Sequence, residues 1–408
     1  GQAAQWSKAV ARETWTRLQH LGSALAQKHA SRMETAAGVR GVLTLAESEP
    51  NIPVRRTELD ADPFIFNCRN ATIDLRTGKA RPHERADLCT RVAPVDYDPA
   101  ATAPLWTKFL DRIMDGNAKL IAYLQRLAGL ALTADATVHE LAILFGTGAN
   151  GKSVFADTIV GLLGNYAAVA PDSLLIQRHH QEHPTEVADL CGRRLVVASE
   201  NERGGRLRIQ LVKKLTGDAT LKARFMRQDF FEFPRTHKLW MLTNHKPRID
   251  EDTEAVWRRI RLIPFSVTIP PAERDPHLLE KLALERPGIF NWAIAGCIDW
   301  QRRGMDPPPE VLAATTDYRG EADQLADFFQ ERLIVGSFAR VTRNDLFAAY
   351  REFADKAGDR HPMDRTDLFE RARRIEGVTD SAWKVGGIVH RGFLGIGLVA
   401  PAQEGGAP

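Results

Sequence analysis

Cysteine is scarce. Four residues in 408, at Cys68, Cys89, Cys191 and Cys297, are widely scattered and form no CxxC pair. That excludes a disulfide-stapled secreted domain and gives no support to a zinc knuckle, and a reducing cytoplasm is the compartment expected. No apolar run approaches the roughly 18 residues that a membrane span needs, so no membrane partner is expected. The first twenty residues carry Trp6, Lys8, Arg12, Glu13 and Arg17, which no secretory signal would. The chain opens on Gly1 and lacks an initiating Met, so it is expected to be part of a longer protein. Apolar material is not lacking: 44% hydrophobic residues against 26% charged excludes disorder as the main state. At about 150 residues per domain, the length suggests two or three domains.

The net charge is only +3, yet between Arg203 and Pro264 there are 15 Lys/Arg against 7 Asp/Glu. One basic segment in a near-neutral chain is expected of a polyanion-binding protein, and equally of a solvated, salt-bridged face.

Three units follow from the pattern. Residues 1–132 read as a mostly helical N-terminal domain. Residues 5–30 form one amphipathic helix, Trp106–Met114 and Ala118–Leu132 two more, and a small β insert carries Phe64-Ile65-Phe66 and Ala71-Thr72-Ile73. Residues 133–321 alternate strand and helix. Leu141–Phe145, Leu195–Ala198, Leu239–Leu242 and Ile260–Pro264 are short continuous apolar runs, as buried parallel strands should be, which predicts an α/β core. Residues 322–400 open with a helical face of Leu325, Phe328, Phe329 and Leu333. Helices at Leu346–Phe353 and Leu368–Ile375 and a Gly-rich hairpin over Ala382–Val399 follow, an order that resembles a winged helix. The tail from Pro401 is expected to be disordered.

The strongest chemical signal is Gly146-Thr147-Gly148-Ala149-Asn150-Gly151-Lys152-Ser153, which meets G-x-x-x-x-G-K-[ST] at every fixed position. A strand precedes it and a helix follows, as the motif requires. Glycines let successive N–H groups turn inward around a phosphate, and the helix N-terminus adds partial positive charge. Lys152 supplies a cation for the β/γ-phosphates of ATP, and the Ser153 hydroxyl can ligate Mg²⁺.

Hydrolysis needs a group to orient or deprotonate water, and a carboxylate at the end of a neighbouring strand serves. Leu195–Ala198 runs on through Ser199 into Glu200, the candidate base and second metal-side residue. Many P-loop ATPases carry Asp where Ser199 stands, so Mg²⁺ would be held there through the hydroxyl or water. Glu202 is a weaker candidate. Leu239–Leu242 ends in Thr243-Asn244, whose amide could bond a γ-phosphate or serve as a turn former. Trp257-Arg258-Arg259-Ile260-Arg261 offers arginines for a neighbour's γ-phosphate, or for surface ion pairs.

The most basic stretch holds Lys213, Lys214, Lys222, Arg224, Arg227, Arg235 and Lys238. A hairpin with a turn near Gln228-Asp229 would present Lys222, Arg224, Phe225 and Arg227 to a phosphate backbone and to bases. The same hairpin could instead pack subunits. His179, His180 and His183 lack a Cys partner or H-E-x-x-H spacing and read as a solvated loop. Asp60 and Asp62 read as a polar turn.

Taken together, "GTGANGKS", "RLVVASENE", "LTGDATLKARFMRQDFFEF", "KLWMLTNHKPRI" and "AVWRRIRLIPF" resemble the superfamily 3 helicases of the AAA+ class. The likeness is closest to the helicase part of phage and plasmid primases, akin to the poxvirus primase–helicase. "NATIDLRTGKARPHERADLCTRVAPVDYDP" resembles that family's N-terminal companion domain. The likeness covers roughly residues 55–335. It implies an ATP- and Mg²⁺-dependent DNA helicase in the cytoplasm of a bacterial or phage-infected cell. The family assembles as a ring, usually a hexamer, on single-stranded or forked DNA, with a primase domain upstream of Gly1. It also implies that Lys152 and Ser153 bind ATP and Mg²⁺, that Glu200 is the catalytic carboxylate and Asn244 the polar sensor. Arg259 would be the arginine finger, with Arg258 second, and Arg224 and Arg227 would flank the DNA hairpin. This chain carries Phe225-Met226 where other members have Lys-His. The alternatives are a replication initiator or loader that does not unwind, and a P-loop small-molecule kinase.

Overall fold

The computed structural model describes residues 2–19, 24–50, 52–177, 184–200, 205–249, 251, 253–322, 324–356, 362–373 and 375–399. Glu202, the three histidines between 179 and 183 and the tail from Pro401 lie outside them.

Five parallel strands form the central sheet: β1 (Leu141–Phe145), β2 (Ala167–Ala170), β3 (Leu195–Glu200), β4 (Lys238–Thr243) and β5 (Ile260–Pro264). Their spatial order is β5-β1-β4-β3-β2, with every pairing parallel. Four were expected. The fifth, β2, is Ala-Ala-Val-Ala at the sheet edge, too weakly apolar to stand out, and its Val169 is exposed. The continuous apolar runs have a simple cause. Alternate residues feed two separate cores, one on each face. Leu144, Trp240 and Leu242 enter one core, while Ile143, Leu239 and Met241 enter the other.

The first core holds the helix after β1, Lys152–Leu163, whose Phe155 ring stacks between Trp106 and Trp240 at 5.7 Å from each. It also holds the helices Pro104–Ile113, Ala118–Leu132 and Arg286–Arg303 and the small antiparallel sheet Ile65–Asn67, Thr72–Asp74, Lys79–Arg81. One apolar cluster therefore runs from Phe66 to Val311, across residue 133. Gly129 and Gly296 mark where Ala118–Leu132 crosses Arg286–Arg303, since a Cβ on either would overlap the other helix's backbone. Nearer the N-terminus, helices Gln2–Gln19, Ala24–Met33 and Ala36–Ala46 pack on one another.

The C-terminal unit has its own core, with Phe328, Leu346, Tyr350, Leu368, Phe393 and Ile396. Helices Gln324–Arg332, Arg343–Lys356 and Arg365–Ala372 cover an antiparallel sheet in which Ile388–Leu398 lies between Leu333–Thr342 and Thr379–Val385. Leu333, expected on a helical face, opens a strand instead, because Leu333-Ile334-Val335 favours extended pairing with Ile396–Leu398. The hairpin expected near the C-terminus is present. Its two-residue turn is Gly386-Gly387, with φ of 57° and 84°, the left-handed pair that a tight type I′ turn requires.

Candidate nucleotide-binding site

The site begins with register. Phe145 pairs with Thr243, and Thr243 with Glu200, so β1, β4 and β3 end in one row at the carboxyl edge of the sheet. The chain leaves that row as Gly146 after β1 and as Asn244 after β4. Ligands of open parallel sheets bind in this crevice.

The loop 146–151 is wound through left-handed backbone. Gly148, Ala149 and Gly151 have φ of 113°, 49° and 80°. Ala149 is held in this left-handed form by its carbonyl, which accepts from Ile269 N at 2.7 Å. A Cβ on Gly151 would press on Ile113 and Phe109, so the cradle's last residue must be glycine for space as well as for φ. Asn150 is buried and donates through Nδ2 to Phe265 O at 3.3 Å. The segment after β5, residues 265–269, thus latches the cradle from the far side. Nothing in the sequence signalled this role for Asn150, since its position in the motif is unrestricted.

Lys152 is buried at the start of its helix. Its Nζ donates to Gly146 O at 3.1 Å, to Asn150 Oδ1 at 3.4 Å and to Asn244 Oδ1 at 2.6 Å. Burial lowers its pKa from the ordinary lysine value. The three acceptors are neutral, and an incoming phosphate would offer the cation an anionic partner. Ser153 and Thr147 face solvent. Among the described residues no cluster of three or more His, Cys, Asp or Glu could hold a metal. The residues present fit Mg²⁺ bound through a hydroxyl, phosphate oxygens and water, with Ser153 as the open hydroxyl. Glu200 is buried at 2% exposure, and a Cβ placed on Gly205 would lie 3.3 Å from its Oε2. Ser199 is exposed.

The arginines lie elsewhere. Arg259 O accepts from Leu141 N at 2.7 Å, so residues 258–259 stand at the amino edge of the sheet. Four residues of strand, about 13 Å, separate that edge from the cradle. The Arg259 guanidinium donates to Ala255 O of its own short helix. Arg258 caps that helix, Glu254–Trp257, and is exposed. Arg261 pairs with Glu140 at 2.8 Å. Burial, with Arg235, Arg259 and Arg258 close by, lowers the His139 pKa from its ordinary value.

The hairpin between β3 and β4 pairs Thr220–Ala223 with Phe231–Pro234. Its corner is Met226-Arg227, closed by Gln228 N donating to Phe225 O at 3.1 Å, two residues before the expected turn. Phe225 stacks on Phe231 at 5.4 Å and sets that register, leaving Arg227 with φ of 59°. Lys222 and Arg224 lie over the Phe230 ring at 5.6 and 5.0 Å. Phe225, Met226 and Phe230 are exposed by 39%, 72% and 52%, so the tip is as apolar as it is cationic. Phe230 went unnoticed because it follows the expected turn.

Two members of the basic stretch are not surface cations. Lys238 is buried and donates to Thr133 O and Oγ1, and Arg235 is buried and donates to Ala136 O and Asp218 O. Lys213 pairs with Glu251 at 2.6 Å. Asp60 accepts from Thr90 N at 2.8 Å and Asp62 pairs with Arg76 at 2.8 Å, so both are turn residues, as expected.

Residues 4–115 match a family described as D5 N terminal like, and residues 144–259 match a family of unknown function (DUF5906). The chain is 25% identical over 299 residues to a protein of Acanthamoeba polyphaga mimivirus named "Putative helicase", covering 68% of this chain and 31% of that protein. It is 28% identical over 231 residues to one of the same name in Frog virus 3, covering 51% of this chain and 23% of that one. The chain thus spans a third or less of these relatives. Its fold resembles the apo structure of NrS-1 C terminal region (305–718), at a TM-score of 0.50 and 13% identity over 87% of this chain and 89% of that one. The matches bear out the resemblance to superfamily 3 primase–helicases. Among the described residues no helix is long and apolar enough to cross a membrane.

Proposed function

We propose that this chain is the ATP-hydrolysing motor of a DNA helicase that works as a ring, a hexamer in the reading favoured here, in the replication protein of a phage, plasmid or related element. The observation that carries the proposal is the shared edge of β1, β4 and β3, where Lys152 bonds Asn244 and Glu200 ends β3, while the connection from β3 to β4 carries a hairpin with an exposed tip.

Backbone amides of residues 146–151 bind the phosphates, and Lys152 neutralises their developing charge. Ser153 would hold Mg²⁺ through its hydroxyl, with Glu200 the second metal-side residue, and the ion would supply charge neutralisation at the phosphates. Glu200 orients and deprotonates the attacking water. With its Oδ1 held by Lys152, Asn244 is left with its amide N–H groups as donors toward the γ-phosphate or that water. The separation of Arg258 and Arg259 from the cradle of their own chain supports a role toward a neighbour's nucleotide, which would make hydrolysis depend on assembly. The exposed Lys222, Arg224, Phe225 and Arg227 would grip a single strand, so that a change at Glu200 or Asn244 is passed to DNA along the strands that frame the hairpin. The C-terminal unit is a winged helix in this reading.

The test is ATP hydrolysis and strand displacement on a forked duplex, with particle mass measured with and without ATP analogue and single-stranded DNA. DNA-stimulated hydrolysis, displacement and a ring-sized particle are expected. Hydrolysis with DNA binding but no displacement would assign the chain to an initiator or loader. Transfer of phosphate to a metabolite without DNA stimulation would overturn the motor reading.

A further inference from the structure

The C-terminal sheet has a solvent face of unusual make-up. Trp383 pairs with His390 across the hairpin, and their rings stack at 6.2 Å and 21°. Arg340 of the adjoining strand places its guanidinium 5.6 Å from the Trp383 ring centre. Gly392, two residues from His390 on the same face, leaves the ring its bed: a Cβ there would meet Trp383 Cη2 at 2.8 Å. The indole therefore lies along the sheet instead of standing off it. Around it Val385, Ile388 and Leu394 share the same face and are exposed. Phe338, in the bulge just before Arg340, is 90% exposed.

Charge is as one-sided as shape. On the face of Trp383 the three strands carry Arg340 and His390, and their single acid, Asp380, is not on it. Asp380 pairs in register with Phe393 and so faces the helix-covered side, where Arg343 and Arg373 each hold it at 2.7 Å. No carboxylate of these strands opposes an anion on the solvent face.

A flat aromatic ring with an arginine against it and no competing acid is the chemistry that takes a nucleobase by its face and the adjoining phosphate by its charge. We propose that this face is a second single-stranded polynucleotide site, with Trp383 the stacking residue and Arg340 its phosphate contact. It lies outside the ATPase core, and the argument does not depend on nucleotide binding there.

The test uses the full chain without nucleotide and a fluorescent 20-mer of oligo(dT), titrated by anisotropy at several salt concentrations. Trp383→Ala should weaken binding by about 5- to 150-fold, the range for losing one stacked base. Trp383→Phe should restore most of it. Arg340→Ala should flatten the salt dependence by about one phosphate contact. Thermal melting of each variant checks the C-terminal unit. ATP hydrolysis without DNA should stay at the parent rate in Trp383→Ala, whatever that rate is. Parent affinity in a folded Trp383→Ala overturns the proposal. So does an equal loss for a duplex of the same length, or a change in particle mass without a change in oligo(dT) affinity, which would make the face a protein contact.

Discussion

Lys152 Nζ donates to Asn244 Oδ1 at 2.6 Å, joining the cradle after β1 to the strand end of β4. The bond makes the amide report on the cation. In the proposed motor, a phosphate that draws Lys152 would also free or turn Asn244, and β4 would carry that change back toward the hairpin. Lys152→Ala should abolish ATP binding and hydrolysis together. Asn244→Ala should leave ATP affinity within about threefold and lower kcat by roughly 10²-fold, the usual cost of one lost transition-state donor. Fluorescent-nucleotide titration and steady-state hydrolysis separate the two, and an Asn244→Ala enzyme at parent kcat would remove the amide from the chemistry.

Arg258 and Arg259 differ in their surroundings. Arg259 spends one guanidinium nitrogen on Ala255 O of its own chain, whereas Arg258 is exposed. If a neighbour's nucleotide recruits Arg258 directly, Arg258→Ala should cost about 10³-fold in kcat at unchanged ATP affinity. Arg259→Ala should cost less and lower the melting temperature as well. Mixing Arg258→Ala with Lys152→Ala subunits checks the trans role. Each brings the part the other lacks, so partial recovery of hydrolysis is expected on mixing, and none if both residues serve one subunit.

On the hairpin, charge and ring stacking should separate in salt titrations. Arg224→Ala with Arg227→Ala should reduce the salt slope of single-strand binding by about two contacts. Phe230→Ala should weaken binding with the slope unchanged, since stacking releases no counterions. An unchanged slope in the double arginine variant would take this tip off the DNA path.

What the sequence disclosed and what it hid follow from how each residue is used. The cradle was legible because its glycines and Lys152 are fixed by phosphate geometry within eight residues. The strands β1, β3, β4 and β5 were legible because both faces are covered, which forces continuous apolar runs. β2 was not, since an edge strand of Ala and Val needs only one good neighbour. Lys238 and Arg235 read as surface cations because their backbone-carbonyl partners, Thr133 and Ala136, lie about a hundred residues away in sequence. No local pattern shows such a partner. Asn150 escaped for the same reason, as its partner Phe265 O follows a different strand.

The crossing of Ala118–Leu132 with Arg286–Arg303 tests the packing claim. Gly129 faces the Cys297 backbone, and an added methyl has no flexible side chain to push aside. Gly129→Ala should destabilise by about 1–3 kcal/mol. Gly320→Ala is the control. That glycine is also helical, with nothing within 4 Å of a Cβ, and should gain about 0.5–1 kcal/mol from helix propensity. Urea denaturation followed by tryptophan fluorescence compares them, and equal shifts in the same direction would contradict the close approach.

His237 sets an acid limit. Its ring is fully buried, and among the described residues neither nitrogen has a hydrogen-bond partner. Burial first, then the neighbouring cations Arg235 and Lys238, push its pKa down to about 3. The unfolded imidazole takes its proton near pH 6.5, so between these values the unfolded state binds more protons than the folded one. The stability tied to this group is whole above 6.5 and is lost as pH falls toward 3, at about 1.4 kcal/mol per pH unit. His237→Leu removes the titration and keeps an apolar filler of similar size. Between pH 6.5 and 5 the parent should therefore lose about 2 kcal/mol more than the variant in urea unfolding. Parallel losses would mean that the folded interior already admits a protonated His237, and with it water or a counter-charge beside Arg235 and Lys238.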